Sequence, residues 1–221
     1  MRSPAALLAL AAVLGAAACT ADDRHTLPDP AGPPVAATLT TTFTRAPGHL
    51  TWAWTLRNDE PRDIAVFSGT MAGDDGSGSS ADEGAWVVPR DSRTVEVSQR
   101  LLGPAPNVGL ARYHSQYGTV LATGTEVSGT ATVRLPLRLS HPYASAFEPA
   151  LALPDEPDRV IFCVGVGRAA DHQPMSRPSA SAAPGLYTAA DGTAPAHARK
   201  ALYLLGQNDR QHLVCARPEE L

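Results

Sequence analysis

Lysine is almost missing from this chain: of 18 basic residues, only Lys200 is a lysine. His197 stands three residues before it, so a Ser-x-x-Lys nucleophile arrangement is excluded. With 22 acidic residues the formal net charge is -4. That balance supplies no broad basic surface for nucleic acid and no polybasic patch for a membrane. No Gly-x-Ser-x-Gly elbow, His-Glu-x-x-His pair or Cys-x-x-Cys pair occurs, so the usual serine-hydrolase, zinc-protease and dithiol signatures are all absent. Aromatic residues make up only 5% and cysteine contributes three positions. What remains is an ordinary 43% of hydrophobic residues in 221, enough for one large domain and too much for a wholly disordered chain.

The apolar residues fall into two groups. The first is residues 5–18, which carry no charge and follow Met1 and Arg2. Fourteen residues of helix rise about 21 Å, short of the roughly 30 Å hydrocarbon core, so the segment reads as a signal-peptide core and not as a span. It ends in Ala16-Ala17-Ala18-Cys19. Small residues directly before a cysteine resemble the lipobox of bacterial lipoproteins. The pattern departs from that family in carrying Ala16 where Leu is usual. The resemblance implies cleavage before Cys19, a diacylglyceryl thioether with palmitate-type acyl chains on that residue, and attachment to the outer side of the cell membrane. The rival reading is plain secretion after an Ala-x-Ala signal. Residues 20–34 lack hydrophobic periodicity and read as a polar, Pro-stiffened tether.

The second group alternates with period two. Val35, Ala37, Leu39, Thr41 and Phe43 alternate with Ala36 and four threonines, and Leu50, Trp52, Trp54 and Leu56 alternate with Thr51, Ala53, Thr55 and Arg57. Arg45-Ala46-Pro47-Gly48 and Asn58-Asp59-Glu60-Pro61 supply turns before a third strand at 64–67. These segments predict two consecutive hairpins. Further strands are expected at 85–88, 94–102, 130–139 and 159–166, with a final hairpin joining 201–205 to 211–217. Pro136, lacking an N–H, should put its strand at an edge or carry a bulge. Residues 68–84, 103–128 and 168–199 read as loops. The expected class is all-β: an antiparallel sandwich of about nine strands over residues 35–221. The first two hairpins resemble bacterial immunoglobulin-like domains, which would imply an immunoglobulin-like sandwich.

Cysteine spacing separates two devices. With Cys19 assigned to lipid, Cys163 and Cys215 remain, and in an exported protein they predict a disulfide between the 159–166 strand and the last strand. Two buried free thiols are the alternative.

Other candidate sites are weaker in pattern. Gly165-Val166-Gly167-Arg168-Ala169-Ala170 has the form of a dinucleotide fingerprint, but Pro174 and Pro178 follow where a helix is required. Asp74, Asp75, Asp82 and Glu83 lie in a Gly/Ser loop whose oxygens suit a hard cation, without the spacing of an EF-hand. Trp52 and Trp54 share a face with leucines and read as core. Tyr113, His114 and Tyr117 form an aromatic-polar cluster between glycines, a composition suited to a binding loop. The expected function is a lipid-anchored, non-enzymatic module that binds an envelope protein or glycan, with no catalytic residue, no cofactor and no nucleic acid. A hydrolase whose site is built from loop histidines and acids, or a protease-inhibitor-like domain, are the alternatives.

Overall fold

The computed structural model describes residues 27–72, 84–106, 108–109, 115–172 and 198–221. Among these the chain forms eleven strands in two sheets, mostly antiparallel, packed as a β-sandwich. Cys19 and the acidic loop residues Asp74, Asp75, Asp82 and Glu83 lie outside the described residues, as do Tyr113 and His114.

The first sheet has three strands. β1 (Ala37–Ala46) and β2 (His49–Asn58) form the expected hairpin, and β7 (Glu126–Arg134) pairs with the other edge of β2. The β2 alternation does what its period requires: Leu50, Trp52, Trp54 and Leu56 are buried, while the residues between them turn outward. On that outer side Thr51 and Thr132 hydroxyls meet across the ladder at 3.1 Å, and Thr55 and Ser128 at 2.8 Å. Opposite Trp54 the partner is Gly129, where a β-carbon would stand 2.5 Å from the indole ring. A side chain there would displace the tryptophan.

The second sheet runs β4 (Trp86–Pro89), β5 (Thr94–Gln99), β8 (Arg159–Arg168), β3 (Ile64–Ala72), β6 (Ser115–Leu121) and β9 (Ala198–Leu204). β10 (His212–Cys215) and β11 (Glu219–Glu220) also pair with β8. Val164 is paired with Gln99 and Val214, and Val166 with Val66 and His212. β5 and β3 therefore succeed each other along one edge of β8, with β10 along the other. The apolar run of β8 is central for this reason. Its Val160, Phe162, Val164 and Val166 face the first sheet, where Phe162 meets Trp52 at 5.8 Å and Trp54 at 6.4 Å between ring centres.

Several expectations differ from what the structure shows. β2 and β3 are not a hairpin: the Asn58–Pro61 turn is a corner that carries the chain between sheets. Buried Asn58 holds it, donating to Arg62 O (2.9 Å) and Leu121 O (3.0 Å) and accepting from Glu60 N–H (2.9 Å). β5 and β8 are parallel, the one exception to the antiparallel reading among the described residues. The segment read as irregular contains β6, and β6 holds Tyr117, buried in the sheet and not on a binding loop. The strand expected at 130–139 ends at Arg134, just before Pro136, which has no N–H to continue a ladder. The final hairpin is absent: β9 pairs with β6 and β10 with β8, linked by a 3-10 turn at Leu205–Arg210.

The outer face of the second sheet is also covered. β4 and β5 are buried along their whole lengths, on both sides. Ser140 bridges to Val87 on the edge strand, and the chain then folds over the face. Tyr143 and Ala146 pack there against Phe67 and Leu101. Leu27 packs near Trp86, Val88 and Leu102. The stretch read as a free tether is thus docked from Leu27 onward, with Gly32 N–H bonded to Gln211 O at 3.1 Å.

Candidate functional site

The alternation of β5 sends Val95 and Val97 into the core and Thr94, Glu96 and Ser98 to the outer face. Arg100 continues the second series just beyond the strand end. Because loops roof this face, the charges of Glu96 and Arg100 are out of water, with side chains 1% and 4% exposed. Their attraction in such surroundings is stronger than at a surface, and so is the cost of leaving either unpaired. Arg100 Nε lies 2.8 Å from Glu96 Oε1, an ion pair that is not aligned as a hydrogen bond. Glu96 is shared, since Arg90 Nη1 stands 3.3 Å from its other oxygen. Arg90 in turn holds Asp29 through both Nη groups, Nη2 reaching Oδ2 at 3.0 Å. Burial works against the charge of Arg90, but the hydrogen bonds it donates to Asp29 and the charge of Glu96 outweigh it and raise its pKa above the usual arginine value. Asp29, Arg90, Glu96 and Arg100 form one alternating chain of charges that sums to zero.

The backbone at Arg100–Leu101 is fixed by side chains once the β5 ladder has ended. Buried Gln211 imitates a strand partner: its Nε2 donates to Leu101 O at 2.6 Å and its Oε1 accepts Leu101 N–H at 3.1 Å. Trp86 Nε1 (3.1 Å) and Gln116 Nε2 (2.9 Å) both donate to Arg100 O. Gly165 lies beneath, where a β-carbon would stand 2.3 Å from Gln211 Oε1 and 2.7 Å from Arg100 Cβ. The bare glycine is what lets these two side chains cross the sheet.

Arg100 opens onto a cavity of about 260 Å³. Its polar lining is Asp29, Arg100, His141, Asn208, Asp209 and Gln211, and its apolar lining includes Leu27, Leu102 and Phe147. His141 comes from the segment between β7 and β8. Tyr143 N–H donates to its Nδ1 at 3.0 Å, so the ring proton sits on Nε2. Burial, and then the positive charge of Arg100, push its pKa down to about 3. His141 is a neutral hydrogen-bond donor at any physiological pH. A second buried histidine, His172, packs over Phe67 at 5.0 Å, with Nδ1 3.3 Å from Arg168 O. Burial also lowers its pKa.

Among the described residues no group of three or more His, Cys, Asp or Glu gathers into a metal site. Cys163 and Cys215 are directly opposed on β8 and β10 and are joined in a disulfide. Their Cα atoms are 4.1 Å apart, just short of the expected span of roughly 4.4–6.8 Å. Trp52 and Trp54 are core residues, and Gly165–Arg168 are the last residues of strand β8, with Ala169 and Ala170 in the turn that follows. The cleft itself escaped the sequence. Glu96 belongs to a polar strand face that has the same alternation whether it is solvated or roofed. Comparison with protein-family models, curated proteins and solved structures returns no match.

Proposed function

We propose that this chain is an exported cell-envelope protein, held to the membrane by a lipid on Cys19, that acts as a non-enzymatic binding module. Its ligand site is the cleft over the outer face of the second sheet. One observation carries the binding reading. Arg100 is almost wholly buried, lines a cavity, and has Glu96 as its sole ion partner among the described residues. A protein bears the cost of burying a guanidinium where its donors serve some purpose. Export is supported by the lipobox-like Ala16–Cys19 sequence and by a disulfide, which suits an oxidising compartment.

Two experiments test this. Labelling cells with radioactive palmitate should mark the protein and leave Cys19→Ser unmarked, and label persisting in the variant would refute the anchor. Photo-crosslinking on intact cells tests the cleft. A photoreactive residue at exposed Asp209, on the cleft rim, should capture envelope material, while one at exposed Thr40 on the first sheet should not. Equal capture from both positions would refute the assignment of the cleft.

A further inference from the structure

We propose that the cleft takes a small monocarboxylate with an apolar tail, the carboxylate seated on Arg100 and His141. This rests on the binding-module reading and names its ligand class. The Nε of Arg100 is buried without a hydrogen bond. The guanidinium has five N–H donors in a planar fork, a shape that matches a carboxylate in two-point contact. His141 lines the same cavity and has only a donor to offer, because Tyr143 N–H already occupies Nδ1. Both groups therefore ask for an acceptor, and Arg100 asks for a charged one.

The charge count selects among anions. Arg100 already shares Glu96 with Arg90 in a chain of charges that sums to zero, so every added negative charge is uncompensated and a dianion is worse placed than a monoanion. Exposed Asp209 on the rim opposes a second negative charge further. A phosphate monoester is disfavoured on both counts more heavily than a single carboxylate. Much of the remaining wall is apolar, from Leu27, Leu102 and Phe147 with prolines between them, beside Asp29, which Arg90 holds, Asn208 and Gln211. Phe147 stands edge-on to His141, at 5.1 Å between ring centres, and so places apolar surface next to the donor. The volume of about 260 Å³ lies just under the roughly 300–1,000 Å³ of drug-sized sites, which suits a short tail.

The test uses the full chain carrying Cys19→Ser, free of lipid and detergent, with hexanoate, hexanol and inorganic phosphate as probes. Binding is followed by calorimetric titration and by the His141 ring resonances. Hexanoate should bind saturably and shift those resonances, with hexanol and phosphate at least tenfold weaker. Arg100→Lys keeps the charge beside Glu96 but loses the fork, and should weaken hexanoate about tenfold. Hexanol binding as well as hexanoate would overturn the proposal, because the cavity would then be apolar only. Phosphate binding more tightly would also overturn it. If no carboxylate binds while the Asp209 position still crosslinks on cells, the ligand class is wrong and the binding module stands. If the variant does not fold, the comparison of probes on the unsubstituted cleft decides alone.

Discussion

Replacing His141 with asparagine should flatten the acid sensitivity of folding. In the native protein the imidazole is held neutral, with a pKa of about 3, while in the unfolded chain it titrates near 6.5. Between those values the unfolded state binds the extra proton, so stability falls as pH falls. His141 costs nothing above about pH 7 and erodes stability progressively below 6.5. Integrated from pH 7.5 to pH 5, the loss is about 2 kcal/mol. For a domain of this size that corresponds to a fall of roughly 4–8 °C in Tm. Asparagine does not titrate, and its Oδ1 can accept the Tyr143 N–H that Nδ1 now accepts. The assay is a set of urea or thermal unfolding curves for both proteins at pH 7.5, 6 and 5. The absolute stability of the variant is not the readout. What matters is the difference in slope, because carboxylates and His172 contribute equally to both proteins. Parallel losses in the two would refute the assignment of a neutral, buried His141.

Two further outcomes follow from the packing. Converting Cys163 and Cys215 to alanine together removes a link between residues 52 apart and should cost about 4 kcal/mol, measured as a lower urea midpoint that reductant no longer affects. Gln211→Leu keeps the bulk but strands the Leu101 N–H and C=O, each costing about 1–3 kcal/mol, and should raise amide exchange at Leu101 before it does so in the core strands.

The parts of the fold that were legible in the sequence are those with one wet face. β2 shows its period because Leu50, Trp52, Trp54 and Leu56 face the core and their neighbours face water. Where both faces are covered that contrast vanishes. β6 was read as irregular because Gln116, Tyr117 and Thr119 are all buried, so polarity no longer reports direction. The crossover at Asn58 was invisible for another reason. A turn sequence fixes the local bend, while the choice between a hairpin and a corner is made by distant partners, here Leu121 O. The cleft is assembled from four separate stretches, around Leu27, Arg100, His141 and Asn208, and no local pattern links them. The disulfide was legible because cysteine pairing in an exported chain is a chemical constraint and needs no periodicity.

The docking of the chain at Leu27 sets a leash. Leu27 packs against the domain and lines the cleft, and only eight peptide links separate it from Cys19. Fully extended, eight residues reach about 29 Å at most. Were Cys19 to carry the proposed lipid, Leu27 on the cleft wall would stand no further than that from the bilayer surface. A ligand released at or moving along the membrane would meet the cleft at a far higher local concentration than one free in the medium.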